Sequence, residues 1–234
     1  MDLNKDGYVI EKGLVEVEFL KQIRLSIEAL FEKQIDHTGT ASIITLFNDH
    51  NDRFMNCAKH AQWNLQLHHL GVMIGYKISN YMHDSLVNIC TRPVVYFNNI
   101  DTSKKHANHT LQAHQDSKSM QGSSDALVCW VPLAPLTDLT GTLEIVPGSH
   151  LLGDVSDDIE DGFGYVTKSV GEYVPVEMEL GDVLIFDSNL VHRSGKLYQG
   201  STRWSCHFRY NNMYDSDFIE RGYPHPYIYK PVKL

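Results

Sequence analysis

Apolar residues change their rhythm once along this chain. In "LVEVEFLKQIRLSIEALFEKQI", residues 14–35, Leu14, Val17, Leu20, Ile23, Ile27, Leu30 and Phe31 recur at helical spacing. That spacing gathers them on one stripe and predicts an amphipathic helix. Residues 54–87 are also helix-like, without proline and with Gly71 and Gly75 as interruptions. Between these segments, "FNDHNDRF" is rich in Asn and Asp, the chemistry of caps and turns. After Pro93 the period shortens. "VVYFN" (94–98), "LQAHQ" (111–115), "ALVCWVPL" (126–133), "TLEIV" (142–146), "EYVPVEM" (172–178), "DVLIFD" (182–187) and "TRWSCHFRY" (202–210) are short and β-rich. Turn signals such as Pro147-Gly148 and Gly181-Asp182 separate them. Helices followed by a series of short strands predict a mainly β fold with supporting α-helices, either an antiparallel barrel or a double-sheet jelly roll. One domain accommodates all 234 residues, with 1–90 as mainly helical support, 91–212 as the β core and 213–234 as a C-terminal tail.

Composition narrows the function classes. Apolar residues make up 42% of the chain, enough for a full core. The formal net charge is −9, and no basic run extends beyond Lys104-Lys105. Neither a nucleic-acid surface nor adhesion to anionic lipid is expected from that balance. The N-terminus lacks an apolar signal core, and no stretch approaches the roughly 18 apolar residues of a membrane span. Cys57, Cys90, Cys129 and Cys206 are far apart and form no C-x-x-C pair, so buried reduced thiols and a cytoplasmic location are expected. "DLNKDG" imitates the first half of a calcium loop, but its twelfth position is Gly13 rather than a bidentate Glu. A turn before an extended segment is the reading that remains.

Two H-x-D tripeptides occur, His50-Asn51-Asp52 and His114-Gln115-Asp116. The first lies between helices. The second lies in a β-rich run, where residues two apart share a face, so His114 and Asp116 would present an imidazole and a carboxylate side by side. A third ligand should come from another β segment. His192 follows the apolar run 182–187, with Ser194 two residues on and Arg203 inside the next strand. An Arg within an apolar strand is costly without an anionic partner. Two His and one carboxylate form a facial triad that suits non-haem Fe(II) oxygen chemistry. A 2-oxo acid could chelate the metal there while Arg203 binds its far carboxylate, with Arg209 as the next candidate for that role. His150, closing "VPGSH", is expected to be structural or to support a ligand.

The blocks "AHQDS", "DALVCWVPL", "GTLEIVPGSH", "GDVLIFDSNLVHRSG" and "STRWSCHFRY" resemble, in order and spacing, the phytanoyl-CoA dioxygenase-like family of Fe(II)/2-oxoglutarate oxygenases. The resemblance covers about residues 90–212. It implies a double-stranded β-helix, a cupin-like jelly-roll core with helical support. By position, His114, Asp116 and His192 fall on the iron ligands, and Arg203 and Ser194 on the residues that hold the distal carboxylate of 2-oxoglutarate. Trp130 falls on an aromatic that lines the cosubstrate pocket, and Asn98 stands where relatives often carry a Lys that touches the cosubstrate. The implied activity is hydroxylation of a small molecule with Fe(II), 2-oxoglutarate and O2, releasing succinate and CO2. Asp116 argues against halogenation, because related halogenases lack that carboxylate. A metal-dependent hydrolase or isomerase on the same barrel and a non-catalytic binding protein are the competing classes; Arg203 and Ser194 favour the oxygenase.

The substrate is expected to be polar. "GDVSDDIEDGFG" gathers Asp154, Asp157, Asp158, Glu160 and Asp161, and in the family this loop lies near the barrel mouth. Such a loop repels a polyanion like an acyl-CoA and favours a neutral or cationic small molecule, with a sugar derivative as the leading candidate.

Overall fold

In the computed structural model, which describes residues 2–82, 86–99, 111–160, 165–167, 170–198 and 201–225, the N-terminal half is helical and the C-terminal half is built of strands. The chain opens with a one-turn helix, α1 (Leu3–Asp6), and a short strand, β1 (Tyr8–Glu11). The Asp2 carboxylate accepts from the backbone N–H of Asn4 and Lys5, and Gly7 closes the turn at φ 82°. The calcium-like segment is therefore a capped turn before an extended strand, as its missing Glu implies.

Four helices follow: α2 (Val17–Thr38), α3 (Ile43–Asp49), α4 (Asn51–Ala61) and α5 (Leu65–Ile78). The helix-like run 54–87 is broken because Asn64 caps α5, its side chain accepting from the N–H groups of Gln66 and Leu67. His50 sits at the joint of α3 and α4, and Asp52 lies in the first turn of α4, where an acidic residue complements the helix dipole.

The strands are β2 (Val87–Ile89), β3 (Val94–Asn99), β4 (Leu127–Pro132), β5 (Leu143–Ile145), β6 (Ser156–Glu160), β7 (Tyr165–Thr167), β8 (Val174–Pro175), β9 (Val183–Asp187), β10 (His192–Ser194) and β11 (Thr202–Asn212). Short helices α6 (Ser117–Met120) and α7 (Ser216–Glu220) and a 3-10 turn at Ser149–Leu152 complete the described elements. The larger sheet runs β1-β9-β4-β11-β2, and β3 also pairs with β11. The smaller sheet runs β10-β5-β8. All these pairings are antiparallel. This is the expected mainly β jelly roll backed by helices.

Alternation within the strands sorts the core into two layers. Leu127, Cys129 and Val131 of β4, and Val183 and Ile185 of β9, face the helices and pack with Leu20, Ile23, Ile27 and Phe31 of α2. Val128 and Trp130 of β4, and Leu184 and Phe186 of β9, face the smaller sheet and pack with Leu143, Ile145 and Val176. The glycines of α5 let that helix lie close on the larger sheet. A Cβ at Gly71 would stand 2.9 Å from the Phe208 ring, and one at Gly75 would stand 3.3 Å from the Tyr210 ring.

Several expectations need correction. Residues 111–115 form no strand; His114 makes one isolated bridge, to His192, because the chain bends at Asp116. Residues 172–178 contribute only the two-residue β8. Part of the acidic loop is instead a hairpin of β6 and β7. All four cysteines are free and buried, as expected. Among the described residues, no helix is long and apolar enough to cross a membrane.

Candidate active site

Strand β11 organises the site through its two faces. Trp204, Cys206, Phe208 and Tyr210 join the helix-side core. The alternate residues Arg203, Ser205, His207 and Arg209 point the other way, and the first three are almost wholly buried. A buried strand face made of Arg, Ser, His and Arg is not a packing surface.

Opposite it, His114, Asp116 and His192 each offer one ligand atom, and these atoms lie within 4.8 Å of one another. The two imidazoles are oriented alike. His114 Nδ1 lies 2.7 Å from the Gln112 carbonyl and His192 Nδ1 lies 2.9 Å from the Leu190 carbonyl. A carbonyl can only accept, so both Nδ1 atoms carry the proton and both Nε2 atoms present a lone pair. Asp116 is held from behind, its Oδ1 accepting from Arg209 Nη2 at 2.7 Å. Its Oδ2 and His192 Nε2 are buried without a hydrogen-bond partner and face each other at 3.9 Å.

Electrostatics decides what that last contact is. Burial pushes the His192 imidazole down to about 4, and neighbouring His114 adds to the effect, so His192 is neutral near pH 7. Burial alone would raise the Asp116 carboxyl; the Arg209 guanidinium and the neighbouring His192, His114 and His207 together outweigh it and hold the group well below the usual carboxylate range. Two electron-pair donors therefore face each other in a buried site with no proton between them. A metal cation satisfies both, with His114 as the third donor. This N2O donor set fits a metal.

The backbone reason for the His114–Asp116 pair differs from strand alternation. His114 ends in a bridge to β10, whereas Asp116 is helical (φ −79°, ψ −26°) at the start of α6. The residue between them, Gln115, fixes the turn. Its amide donates to the carbonyls of Gly153 and Asn189, and its oxygen accepts from Val155 N–H. Thr167 of β7 donates from its backbone to Ala113. The 153–167 segment is thus tied to the ligand turn at two places. Asp161 and residues 162–164 lie outside the described residues, as do Lys104 and Lys105.

A narrow cleft extends from the triad to Arg203, lined by His114, His192, Ser194, Trp130, Asn98 and His207 among others. Every expected site residue except Asp116 lies on its wall. Arg203 is 2% exposed. It donates to the Thr142 carbonyl at 2.9 Å, to the Thr140 carbonyl at 3.4 Å and to Asn98 Oδ1 at 3.3 Å, while its Nε has no partner. No carboxylate among the described residues pairs with it. Burial lowers it to about 10, so it is still charged at neutral pH. A buried, charged fork with neutral acceptors only is chemically suited to receive an anion. Ser194 Oγ accepts from Leu111 N–H at 2.9 Å, which leaves its own proton to donate.

Three residues at the site carried no motif. Arg209 was a fallback for the oxo acid and instead grips Asp116; its parity with Arg203 on one strand was the available signal. His207 shares that parity. Tyr96 of β3 brings its ring within 4.7 Å of His207. His50-Asp52 joins no ligand cluster among the described residues, and His150 is structural, its Nε2 lying 3.2 Å from the Asn4 carbonyl.

Known proteins can now be set beside this geometry. Dioxygenase aneA of Aspergillus aculeatus is 38% identical over 63 residues, covering 27% of this chain and 19% of that protein. The 1-deoxypentalenic acid 11-beta-hydroxylase of Streptomyces arenae is 32% identical over 92 residues, covering 35% and 32%. The matches thus span about a fifth to a third of the curated relatives' own length. Among solved structures, the epimerase SnoN in complex with Fe3+, alpha ketoglutarate and nogalamycin RO superposes with a TM-score of 0.60 at 18% identity, over 90% of this chain and 80% of that one. AviO1 from Streptomyces viridochromogenes Tue57 gives 0.58 at 18% identity, over 91% and 93%. At such identities the likeness shows the shared fold. The family model described as Phytanoyl-CoA dioxygenase (PhyH) matches residues 3–203, from the first helical turn through both histidines of the triad to the buried arginine of β11. By that match the chain belongs to the phytanoyl-CoA dioxygenase family.

Proposed function

We propose that this chain is an Fe(II)- and 2-oxoglutarate-dependent oxygenase that hydroxylates a small polar molecule, releasing succinate and CO2. The observation that carries the reading is the pair of facing, unsatisfied donors, Asp116 Oδ2 and His192 Nε2, in one site with His114 and near a buried arginine that no carboxylate among the described residues pairs with. In this reading His114, Asp116 and His192 hold the iron. With 2-oxoglutarate and O2 bound, that iron couples oxidative decarboxylation of the oxo acid to oxidation of a substrate C–H bond.

The chain's own residues do the rest. Arg203 and Ser194 hold the distal carboxylate through charge-assisted hydrogen bonds. Trp130 and Leu143 wall the cosubstrate off from the core between the sheets. Asn98 Oδ1 accepts from Arg203 and so helps to aim the guanidinium. Asp116, kept ionised by Arg209 and the neighbouring histidines, would serve as the carboxylate ligand of the iron, the place a halide would otherwise have to take. A buried, positively charged Arg203 on the cleft wall favours an enzyme that binds an oxo acid over a hydrolase that binds none.

The substrate class follows from charge. Asp154 is exposed, and Asp157, Asp158 and Glu160 lie on β6, in a segment tethered to the ligand turn through Gln115 and Thr167. A segment so rich in acidic residues, tied to the ligand turn, disfavours acyl-CoA and favours a neutral or cationic polar molecule, of which a sugar derivative is our choice. The test reconstitutes the protein with Fe(II) under nitrogen, admits air, and measures succinate with panels of sugars, amino acids, nucleotide sugars and acyl-CoAs. Succinate coupled to an added-oxygen product from a sugar panel is expected. Coupled turnover of a long-chain acyl-CoA overturns the substrate class, and failure to bind either Fe(II) or 2-oxoglutarate overturns the activity.

A further inference from the structure

Four consecutive inner-face residues of β11 each carry a buried polar atom without a hydrogen-bond partner: Arg203 Nε, Ser205 Oγ, His207 Nδ1 and Arg209 Nε. The outer-face residues between them are apolar and packed. The two ends of this row have assigned work, Arg203 as the anion receptor and Arg209 as the grip on Asp116. His207 stands between them with no assigned work. It is 4% exposed, lines the same cleft as His114, His192 and Arg203, and sits opposite Trp130 in the β4–β11 register. An imidazole so deeply buried with an unmet nitrogen is costly to keep unless a ligand completes it.

We infer that His207 is a further cosubstrate-binding residue, which hydrogen-bonds the metal-side end of a bound 2-oxo acid while Arg203 holds the opposite end. The inference rests on the oxygenase reading above. Its geometric basis is order along one strand: β11 presents Arg203, His207 and Arg209 in sequence, and Arg209 reaches the ligand carboxylate of Asp116 at 2.7 Å. A cosubstrate that runs from Arg203 to the triad passes His207 at its triad end. Chemistry supports the same placement. Burial keeps the His207 imidazole well below its ordinary value and hence neutral, so one nitrogen donates and the other accepts. A neutral donor stabilises an oxo-acid oxygen without placing a second cation beside the metal. The Tyr96 ring, 4.7 Å away, limits how far the imidazole can turn.

The two roles separate on a pair of ligands. 2-Oxoglutarate has both carboxylates; pyruvate has the 2-oxo acid end only. Binding of each is measured under nitrogen to the Fe(II)-loaded protein, by calorimetry and by the visible charge-transfer band of a metal-chelated 2-oxo acid. His207→Leu is expected to weaken both ligands by a similar factor, about tenfold to a hundredfold, the worth of one hydrogen bond to a charged group. Arg203→Gln is expected to weaken 2-oxoglutarate and leave pyruvate unchanged. His207→Asn and His207→Gln each restore a polar atom near one ring nitrogen, and at least one should recover most of the affinity. Thermal melts and Fe(II) affinity identify a variant that has merely lost its fold or its metal, and the two amide variants then decide the matter. Wild-type affinity for both ligands in His207→Leu overturns the inference and leaves the oxygenase reading intact. So does a loss confined to 2-oxoglutarate, or rescue by neither amide. A wild-type protein that binds Fe(II) but not 2-oxoglutarate overturns both.

Discussion

Trp204, Cys206, Phe208 and Tyr210 leave β11 toward the helices; Arg203, Ser205, His207 and Arg209 leave it toward the smaller sheet. Burial is nearly the same on the two sides, the partly exposed Arg209 apart. On the outer side the Tyr210 hydroxyl donates to the Gly71 carbonyl at 2.7 Å, and Trp204 meets Phe97 and Phe31 edge to face. On the inner side each of the four residues keeps an unmet polar atom. Low accessibility therefore means two different things along one strand. The outer face is a core whose free energy is realised on folding. In the oxygenase reading proposed above, the inner face is a receptor whose desolvation cost would be recovered when ligands bind. Changes on the outer face should act on stability and leave affinity alone, and changes on the inner side should do the reverse.

The largest effects should come from the triad. His114→Ala, Asp116→Ala and His192→Ala each remove a ligand, and metal affinity should fall by more than the roughly hundredfold seen when only a ligand's supporting partner is lost. His50→Ala and Asp52→Ala, which alter the other H-x-D tripeptide, should leave it unchanged. Titration with Fe(II) under nitrogen reads the difference. Iron should be added to metal-stripped protein, because Zn or Ni from the expression host binds such donors more tightly. Loss of metal in His50→Ala with retention in His114→Ala would reverse the assignment.

Next comes Phe208→Ala on the outer face. A buried phenylalanine truncated to alanine costs about 3–5 kcal/mol. Denaturant unfolding should register that loss while the folded fraction binds 2-oxoglutarate with wild-type affinity. A variant of normal stability and weakened binding would contradict the division of β11 into two faces.

Much of this arrangement was legible in the order of residues. The strands 94–98, 126–133, 182–187 and 202–210 came from β-rich runs between turn signals, and α2 from its apolar stripe. Other features were hidden for physical reasons. The β6–β7 hairpin spans Asp157, Asp158 and Glu160, which show no apolar alternation, so its local chemistry imitates a loop. The break before α5 was readable in principle, since Asn64 is a strong N-cap, but Trp63 and Leu65 continue the apolar rhythm across it. His114 and Asp116 were paired through the wrong local geometry. What brings them together is a turn that Gln115 pins with three hydrogen bonds, and no period in the sequence encodes long-range bonds to Gly153 and Asn189. Arg209 needed one further step: an arginine six residues after Arg203 shares its parity and thus its face.

A smaller effect is expected from the anion receptor. Arg203→Ala should weaken 2-oxoglutarate binding by about 1.5–3 kcal/mol, the range for a hydrogen bond to a charged group. Arg203→Lys should recover only part, because an ammonium lacks the planar fork. The melting temperature of the ligand-free protein should not fall, since the change removes a buried cation that no carboxylate among the described residues neutralises. A large drop in stability, with affinity unchanged, would return Arg203 to the class of structural residues.

The smallest effect tests the outer face at its tightest point. Replacing a helical glycine by alanine ordinarily stabilises a helix by up to about 1 kcal/mol. At Gly71 the new Cβ would stand 2.9 Å from Phe208 Cδ1, closer than packed carbon atoms come, so the ring or the helix must shift. Overpacking of that kind costs about 1–3 kcal/mol. Cost should exceed gain, and Gly71→Ala should be destabilised by about 1 kcal/mol net. At Gly75 the corresponding contact, with Tyr210 Cε1, is 3.3 Å, and a few tenths of an ångström relieve it. There gain and cost should nearly cancel. Urea unfolding of the two variants side by side measures the difference, with 2-oxoglutarate affinity unchanged in both. If Gly71→Ala were the more stable of the pair, α5 would not be seated against β11 as closely as Phe208 requires, and the outer face would lose its standing as the well-packed side of the strand.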